Sequence, residues 1–398
     1  VPTVAEIQKK LDKNTAILSY SQTKDRIFNI ILTKNDIQLF AVDKFEDFDN
    51  SVNQFRNSII NGDLPQNEEV YRDLAFQFYQ TLFPCKLNKN IKKLIIIPDG
   101  NLAYIPFETL LTTKVSENLK YSEYPYLIKQ FVVSYSYSAN LFFLTEDKEK
   151  QKEVGLSQIN DWLAFAPVFP NNYSAGISMR TRSVLNSFEN QSDTTRTRGK
   201  LLNGNFVVSL PGSENEVKDI YSVFESKQKK AVVKLFGDAD EKYVKSGDLR
   251  NYKYIHFATH GFVNAEKPEL SGILLAQDSL GGNDGILFSG EIYGLELNAD
   301  LVVLSACETG LGKILPGEGI IGLTRALLYA GAKNCIVSLW QVSDLATSKL
   351  MTEFYRNLLG SKNQKEFAEH LQKAKLSLIA DDKFAHPFFW SPFILIGK

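Results

Sequence analysis

Sulfur and histidine are scarce in this chain. Its 398 residues include three cysteines, two methionines and four histidines. The odd count of Cys85, Cys307 and Cys335 fits free thiols in a reducing, cytoplasmic setting better than a disulfide framework. No apolar run reaches the ~18 residues that span a bilayer, so no membrane partner is expected. An excess of either charge is also missing. The formal net charge of -1 leaves no footprint for nucleic acid or for a lipid surface. The glycines of PGEGIIG lack the Gly-Lys-Ser/Thr ending that a phosphate loop requires, which rejects a nucleotide triphosphatase. No Cys-x-x-Cys or His-x-x-x-His spacing supports a metal centre. No cofactor is expected. An initiator methionine and a signal-peptide pattern are absent too, so the chain is expected to be a piece of a longer protein with a domain upstream.

What is present is an ordinary globular mixture, 44% apolar and 23% charged, in a chain long enough for two or three domains. AILSYSQT, RIFNIILTK and IQLFAV are expected to form a three-stranded meander. Residues 45 to 82 read as helical, with a break near Asn61-Gly62. KKLIIIPDG is a buried strand ended by a turn signal, and YLIKQFVVSYSYSANLFFL a strand followed by a helix. The charged run EDKEKQKE, residues 146 to 153, marks a boundary. Beyond it the order becomes strand then helix, repeatedly. The strands are WLAFAPVF, AVVKLFG, YKYIHFAT, LVVLSA, NCIVSLW and FFWSPFILIG. The helices are SENEVKDIYSVF, EGIIGLTRALLYAG, LATSKLMTEFYRNLL and KEFAEHLQKAKLSLI. Apolar runs without alternation, separated by amphipathic helices, predict a mainly parallel sheet covered on both faces. Residues 186 to 205 are polar and glycine-containing and are expected to form a loop; Arg196, Arg198 and Lys200 would offer a basic cleavage site there.

Two strand ends carry reactive groups. YIHFATHG is a six-residue strand, 254 to 259, followed by His260 and Gly261. LVVLSACETG is a six-residue strand, 301 to 306, followed by Cys307. If the two strands are neighbours in a parallel sheet, ~4.8 Å apart, an imidazole and a thiol meet at the carboxyl end, where open α/β sheets bind ligands. A thiol with pKa ~8.5 needs such a base to become a nucleophile, and the same imidazole can protonate a leaving amine. Gly261 and the backbone at Cys307 could donate N–H groups to an oxyanion. Each residue also has a plainer reading. Cysteine is among the most buried residue types, and a lone histidine is commonly a core residue. His256, in mid-strand, is the rival base. Cys335 reads as core.

The motifs FATHG and LSACETG, followed by GEGIIGLTRALLYAGAKNCIVSLWQVSDLATSKLMTEFYRNLL, closely resemble the CHAT domain. That family of caspase-like cysteine peptidases is related to caspases, gingipains and separases and is often fused to tetratricopeptide repeats. DGNLAYIPFETL, LPGSENEVKDIYSVF, DGILFSGEIYGLEL and HPFFWSPFILIG resemble family segments, in family order. The resemblance implies His260 as general base and acid, Cys307 as nucleophile, and the N–H groups of Gly261 and Cys307 as oxyanion donors. It implies a caspase-like α/β sheet sandwiched by helices over 156–398, preceded by an inactive caspase-like or α+β half over 1–155, a stretch with no histidine. SLWQVSD resembles the separase segment whose acidic residues receive a P1 arginine. Asp344 matches one acidic position. The next, one turn on, is Ser348, a departure that weakens the case for a strict arginine preference. Asp344 also suits a helix N-cap. His386 and Trp390 read as structural.

The expected activity is a regulated cysteine endopeptidase acting on a protein substrate, with an upstream tetratricopeptide-repeat domain or an activating partner, in a bacterial defence or cell-death-like pathway. The alternative is a caspase-like scaffold with little or no turnover.

Overall fold

A computed structural model of the chain describes residues 2–62, 65–140, 160–167, 211–264, 266–276, 284–305, 313–315, 319–340 and 343–397. The strands are β1 (Thr15–Gln22), β2 (Arg26–Thr33), β3 (Ile37–Asp43), β4 (Lys93–Ile97), β5 (Val132–Tyr135), β6 (Asn160–Ala166), β7 (Ala231–Leu235), β8 (Tyr252–Phe257), β9 (Gly261–Phe262), β10 (Gly272–Leu274), β11 (Ile286–Phe288), β12 (Leu301–Leu304), β13 (Lys313–Leu315), β14 (Gly319–Ile321), β15 (Cys335–Ser338) and β16 (Phe393–Ile396). The helices are α1 (Val4–Lys10), α2 (Phe48–Ile60), α3 (Pro65–Leu82), α4 (Pro211–Ser226), α5 (Glu241–Val244), α6 (Ser289–Ile292), α7 (Leu323–Ala330), α8 (Asp344–Gly360), α9 (Phe367–Ile379) and α10 (Pro387–Trp390). The polar stretch 186–205 lies outside the described residues.

The chain divides into two compact units. The first comprises Val1–Leu156, Ile314–Ile321 and Glu353–Lys398; the second comprises Ser157–Lys313 and Gly322–Thr352. In the first unit the strands run in the order β3-β2-β1-β4-β5-β16. The meander β1-β2-β3 is antiparallel and the rest parallel. In the second unit β15-β12-β8-β6-β7 are parallel throughout. These mainly parallel sheets flanked by helices are the expected α/β class. Uninterrupted runs such as LVVL and CIVS are buried at every position, as strands covered on both faces must be.

Local chemistry sets the element ends. Thr3 and Glu6 form a reciprocal capping box that starts α1. The terminal carbonyl of α3, at Leu82, accepts from the Tyr20 hydroxyl and from Asn29 Nδ2, both at 3.0 Å. A helix-end acceptor is thereby tied to two strands. Gly331 ends α7 at φ 114°, and a Cβ there would collide with the Leu297 carbonyl, so only glycine fits.

Two expected elements differ in detail. EGIIGLTRALLYAG is not one helix, because Gly319–Ile321 form β14 and the helix begins at Leu323. FFWSPFILIG is not one strand. Pro387 at the first helical position and His386, whose Nδ1 accepts from the Phe388 N–H at 3.1 Å, start a helical turn before β16. Trp390 is buried and donates from Nε1 to the Ala385 carbonyl at 3.1 Å, a structural role for both residues.

The first unit also buries an ion pair. Lys375 on α9 donates to Glu108 Oε1 at 2.7 Å, with side-chain exposures of 1% and 3%. The Tyr135 hydroxyl donates to the other Glu108 oxygen and accepts from the Phe107 N–H at 2.9 Å. Both carboxylate oxygens are therefore satisfied, which a buried charge requires. Lys375→Ala strands that carboxylate and should cost about 3–5 kcal/mol of unfolding free energy, read by urea denaturation. Lys375→Met with Glu108→Gln removes both charges and keeps an acceptor for Tyr135; it should recover much of that loss.

Candidate active site

The site is built on the second unit's parallel sheet. β8 lies between β6 and β12. Its register sets Leu301 opposite Tyr254 and Leu304 opposite Phe257. The two motif strands are thus parallel neighbours. They are shorter at their carboxyl ends than the expected 254–259 and 301–306, and for β8 the bonds nearby give the reason. The ladder runs on through the Ala258 N–H to the Phe165 carbonyl at 2.8 Å and the Ser305 N–H to the Phe257 carbonyl at 2.9 Å. Beyond that, the first motif turns toward β10. The Thr259 hydroxyl donates to the Leu274 carbonyl at 2.6 Å. The Leu274 N–H donates to the His260 carbonyl at 2.8 Å.

This turn carries His260 and Gly261. His260 is buried, at 5% exposure. Gly261 and Phe262 pair with Ile273 and Gly272 in an antiparallel ladder, and β10 pairs in turn with β11. Hydrogen-bonded and non-hydrogen-bonded pairs alternate along such a ladder. The His260–Leu274 bond makes that pair the bonded kind, so the Gly261–Ile273 pair is the non-bonded kind. The Gly261 N–H therefore points away from β10, an orientation that suits an oxyanion donor.

His256 is held elsewhere. It is fully buried in β8, and its Nε2 lies 2.9 Å from Glu216 Oε1 on α4. The Trp162 ring is 6.1 Å away. The rival base is thus engaged with a helix.

Cys307 lies outside the described residues. The other two thiols are described. Cys335 is fully buried in β15, and Cys85 is half-buried in the first unit. Burial pushes both thiols up, Cys335 the further. A thiol so shifted holds little thiolate at neutral pH.

Asp344 is exposed at the first residue of α8, one position inside the helix, with Ser343 before it. It therefore stands in the first turn, not at the N-cap position; a carboxylate is favoured there by the helix dipole. Its side chain packs directly over Gly212, where a Cβ would not fit. One turn on, the buried Ser348 hydroxyl donates to Asp219 on α4 at 3.2 Å. Sequence reasoning missed Glu216 and Asp219. A signal for Glu216 existed: it falls on the inward stripe of α4 with Val217, Ile220 and Phe224, all buried, where a carboxylate needs a partner.

The sequence matches the CHAT domain over residues 72–398. The chain belongs to the CHAT-domain family. Two curated relatives, tetratricopeptide repeat protein 28 of mouse and of human, are 34% and 35% identical over 113 residues, 28% of this chain. The match spans only 4% of the length of either relative. Among solved structures, a Saccharomyces cerevisiae separase–securin complex is similar at a TM-score of 0.58 and 11% identity. It covers 98% of this chain and 30% of that one. A weaker likeness, TM-score 0.43 at 10% identity, is to Porphyromonas gingivalis RgpB, over 89% of this chain and 76% of that one. The fold of this CHAT domain is therefore caspase-like, as in separase. Among the described residues no helix is long and apolar enough to cross a membrane.

Thr259 fixes the turn that carries His260. Thr259→Val keeps the shape and removes the bond to Leu274, which should cost about 1–3 kcal/mol. Hydrogen exchange at the Leu274 amide, the donor to His260, should accelerate more than at amides of β6.

Proposed function

We propose that this CHAT domain is a cysteine endopeptidase with Cys307 as nucleophile and His260 as its base. The observation that carries the reading is the register of β8 and β12. Leu304 lies opposite Phe257, an offset of 47 positions, and Cys307 follows His260 by the same 47. Both motif positions thus lie three residues beyond a pair of adjacent parallel strands.

In this reading the Cys307 thiol gives its proton to His260, and the sulfur forms a bond to the scissile carbonyl carbon. The oxyanion is held by the N–H groups of Gly261 and Cys307. Collapse breaks the C–N bond, and His260 returns the proton to the departing amine. Water, deprotonated by His260, then cleaves the thioester and restores the thiol. Asp344, exposed at the start of α8, contributes negative charge for a cationic substrate side chain. Residues 1–155, without a histidine, form the body of the inactive half, joined in the first compact unit by 314–321 and 353–398; the remainder of 156–398 forms the active half. The relatives' printed name supports a tetratricopeptide-repeat region upstream, and loops at a sheet end are readily switched by such a partner. A cytoplasmic setting and a defence or cell-death-like pathway belong to the same reading.

Cys307→Ala should abolish cleavage of a protein substrate while leaving the urea unfolding midpoint unchanged. A thiol-directed peptide electrophile should label Cys307 at least tenfold faster than Cys85 or Cys335, and His260→Ala should erase that advantage. Labelling of Cys307 no faster than Cys85, with the activating partner present, would replace the peptidase with a scaffold.

A further inference from the structure

β3 is the outermost strand in the first unit's order, and most of its residues are exposed. Leu39 is 67% exposed and Ile37 49%; Ile30, directly opposite Leu39 on β2, is 40% exposed. Alternation places Ile37 and Leu39 on one face, and Ile30 extends that face inward. The strand, IQLFAVD, has no proline and a single charge, at its end. The devices that usually blunt an edge are missing from it.

The ladder to β2 shows which backbone groups are open. The Lys44 N–H donates to the Asp25 carbonyl at 2.8 Å, and the Thr33 N–H to the Asp36 carbonyl at 2.9 Å. With the register of β2 and β3, the even-numbered residues of β3 exchange bonds with β2. The odd-numbered ones, Ile37, Leu39, Ala41 and Asp43, direct their N–H and C=O groups to the outer edge, where the Ile37 N–H already donates to Asp36 Oδ1 at 2.9 Å.

We infer that this edge pairs with the same edge of a second copy, β3 antiparallel to β3 about Phe40. A two-fold pairing must set outward-directed residues opposite each other, which the registers centred on residues 39, 40 and 41 do. Charge selects among the three. The residues that flank the strand directly are Asp36 and Lys44. Opposite charges directly across a pair are favourable, and of the three centres only the one at Phe40 sets Asp36 opposite Lys44. Lys44 already pairs with Asp49 at 3.0 Å, and Asp36 accepts from the Ile37 N–H at 2.9 Å and from Gln38 Nε2 at 2.7 Å. The charges therefore choose the register more than they add bonds. In that register Leu39 meets Ala41 of the second copy, and the apolar face runs on across the two-fold axis.

The register makes a sharp test. Phe40 would face its own copy as a non-hydrogen-bonded pair, with Cα atoms ~4.5 Å apart, inside the range a disulfide spans. The Gln38 Cα atoms would be about 13 Å apart, four residues along the strand, beyond that range. Cys85 lies 3.8 Å from Gln38 Oε1, so the variants are made with Cys85→Ser. Under mild oxidation Phe40→Cys should yield a covalent dimer and Gln38→Cys should not. Light scattering should give twice the monomer mass for the unaltered chain. Leu39→Pro removes an outward N–H without touching the β2 ladder, and should give the monomer mass with unchanged far-ultraviolet dichroism. A monomeric unaltered chain at 100 μM overturns the inference, whether the edge is then covered by another partner or by none. Cross-linking at Gln38 in place of Phe40 overturns the register.

Discussion

One parallel register, β8 beside β12, organises the second unit. It aligns Phe257 with Leu304, so both strands end on the same side of the sheet. Parallel strands all finish on one side, and every loop that follows them is delivered there. The small antiparallel sheet then refines the placement. Its bonds from Leu274 to His260 and from Thr259 to Leu274 bend the chain out of β8 and set which way the Gly261 amide points. The chemical reading of this CHAT domain depends on that bend as much as on the identity of the side chains.

Buried polar pairs tie helices to strands in each unit. His256 on β8 meets Glu216 on α4, and Lys375 on α9 meets Glu108, which also binds Tyr135 on β5. Such pairs add little net stability over an apolar core, because desolvation offsets their attraction. Their effect lies in the penalty for any other arrangement: a helix shifted by one turn would leave a charge buried alone. In β8 this has a functional side. With His256 engaged by α4, the imidazole placed at the strand end is that of His260.

The antiparallel meander differs from the parallel strands in how it meets water. Parallel strands are covered on both faces and read as unbroken apolar runs. β3 has the same apolar character at Ile37 and Leu39 without the cover. The outermost parallel strand of the second unit, β7, is half-buried at every position, whereas most of β3 is exposed.

Much of this was legible in the chain itself. LVVL, CIVS and KLIII are apolar runs bounded by turn residues, and amphipathic helices follow several of them; that pattern alone specifies parallel α/β layers. FATHG and LSACETG placed the reactive residue types just past strands, and family resemblance named their roles. Other features depended on residues far apart in sequence. Gly319–Ile321 read as a helix start but form β14, and FFW lies beside a strand but is a helical turn. The carboxylate at Asp219 looks like part of a solvated helix face until Ser348 is seen against it, and the inward-facing Glu216 has no legible partner until His256 is. Periodicity reports which face of an element is buried, and that much the sequence determined by itself. What the buried face touches, which strand lies beside which and in what register, and which strand is left at the edge were decided only by tertiary structure, because each depends on loop closure and packing among residues tens to hundreds of positions apart.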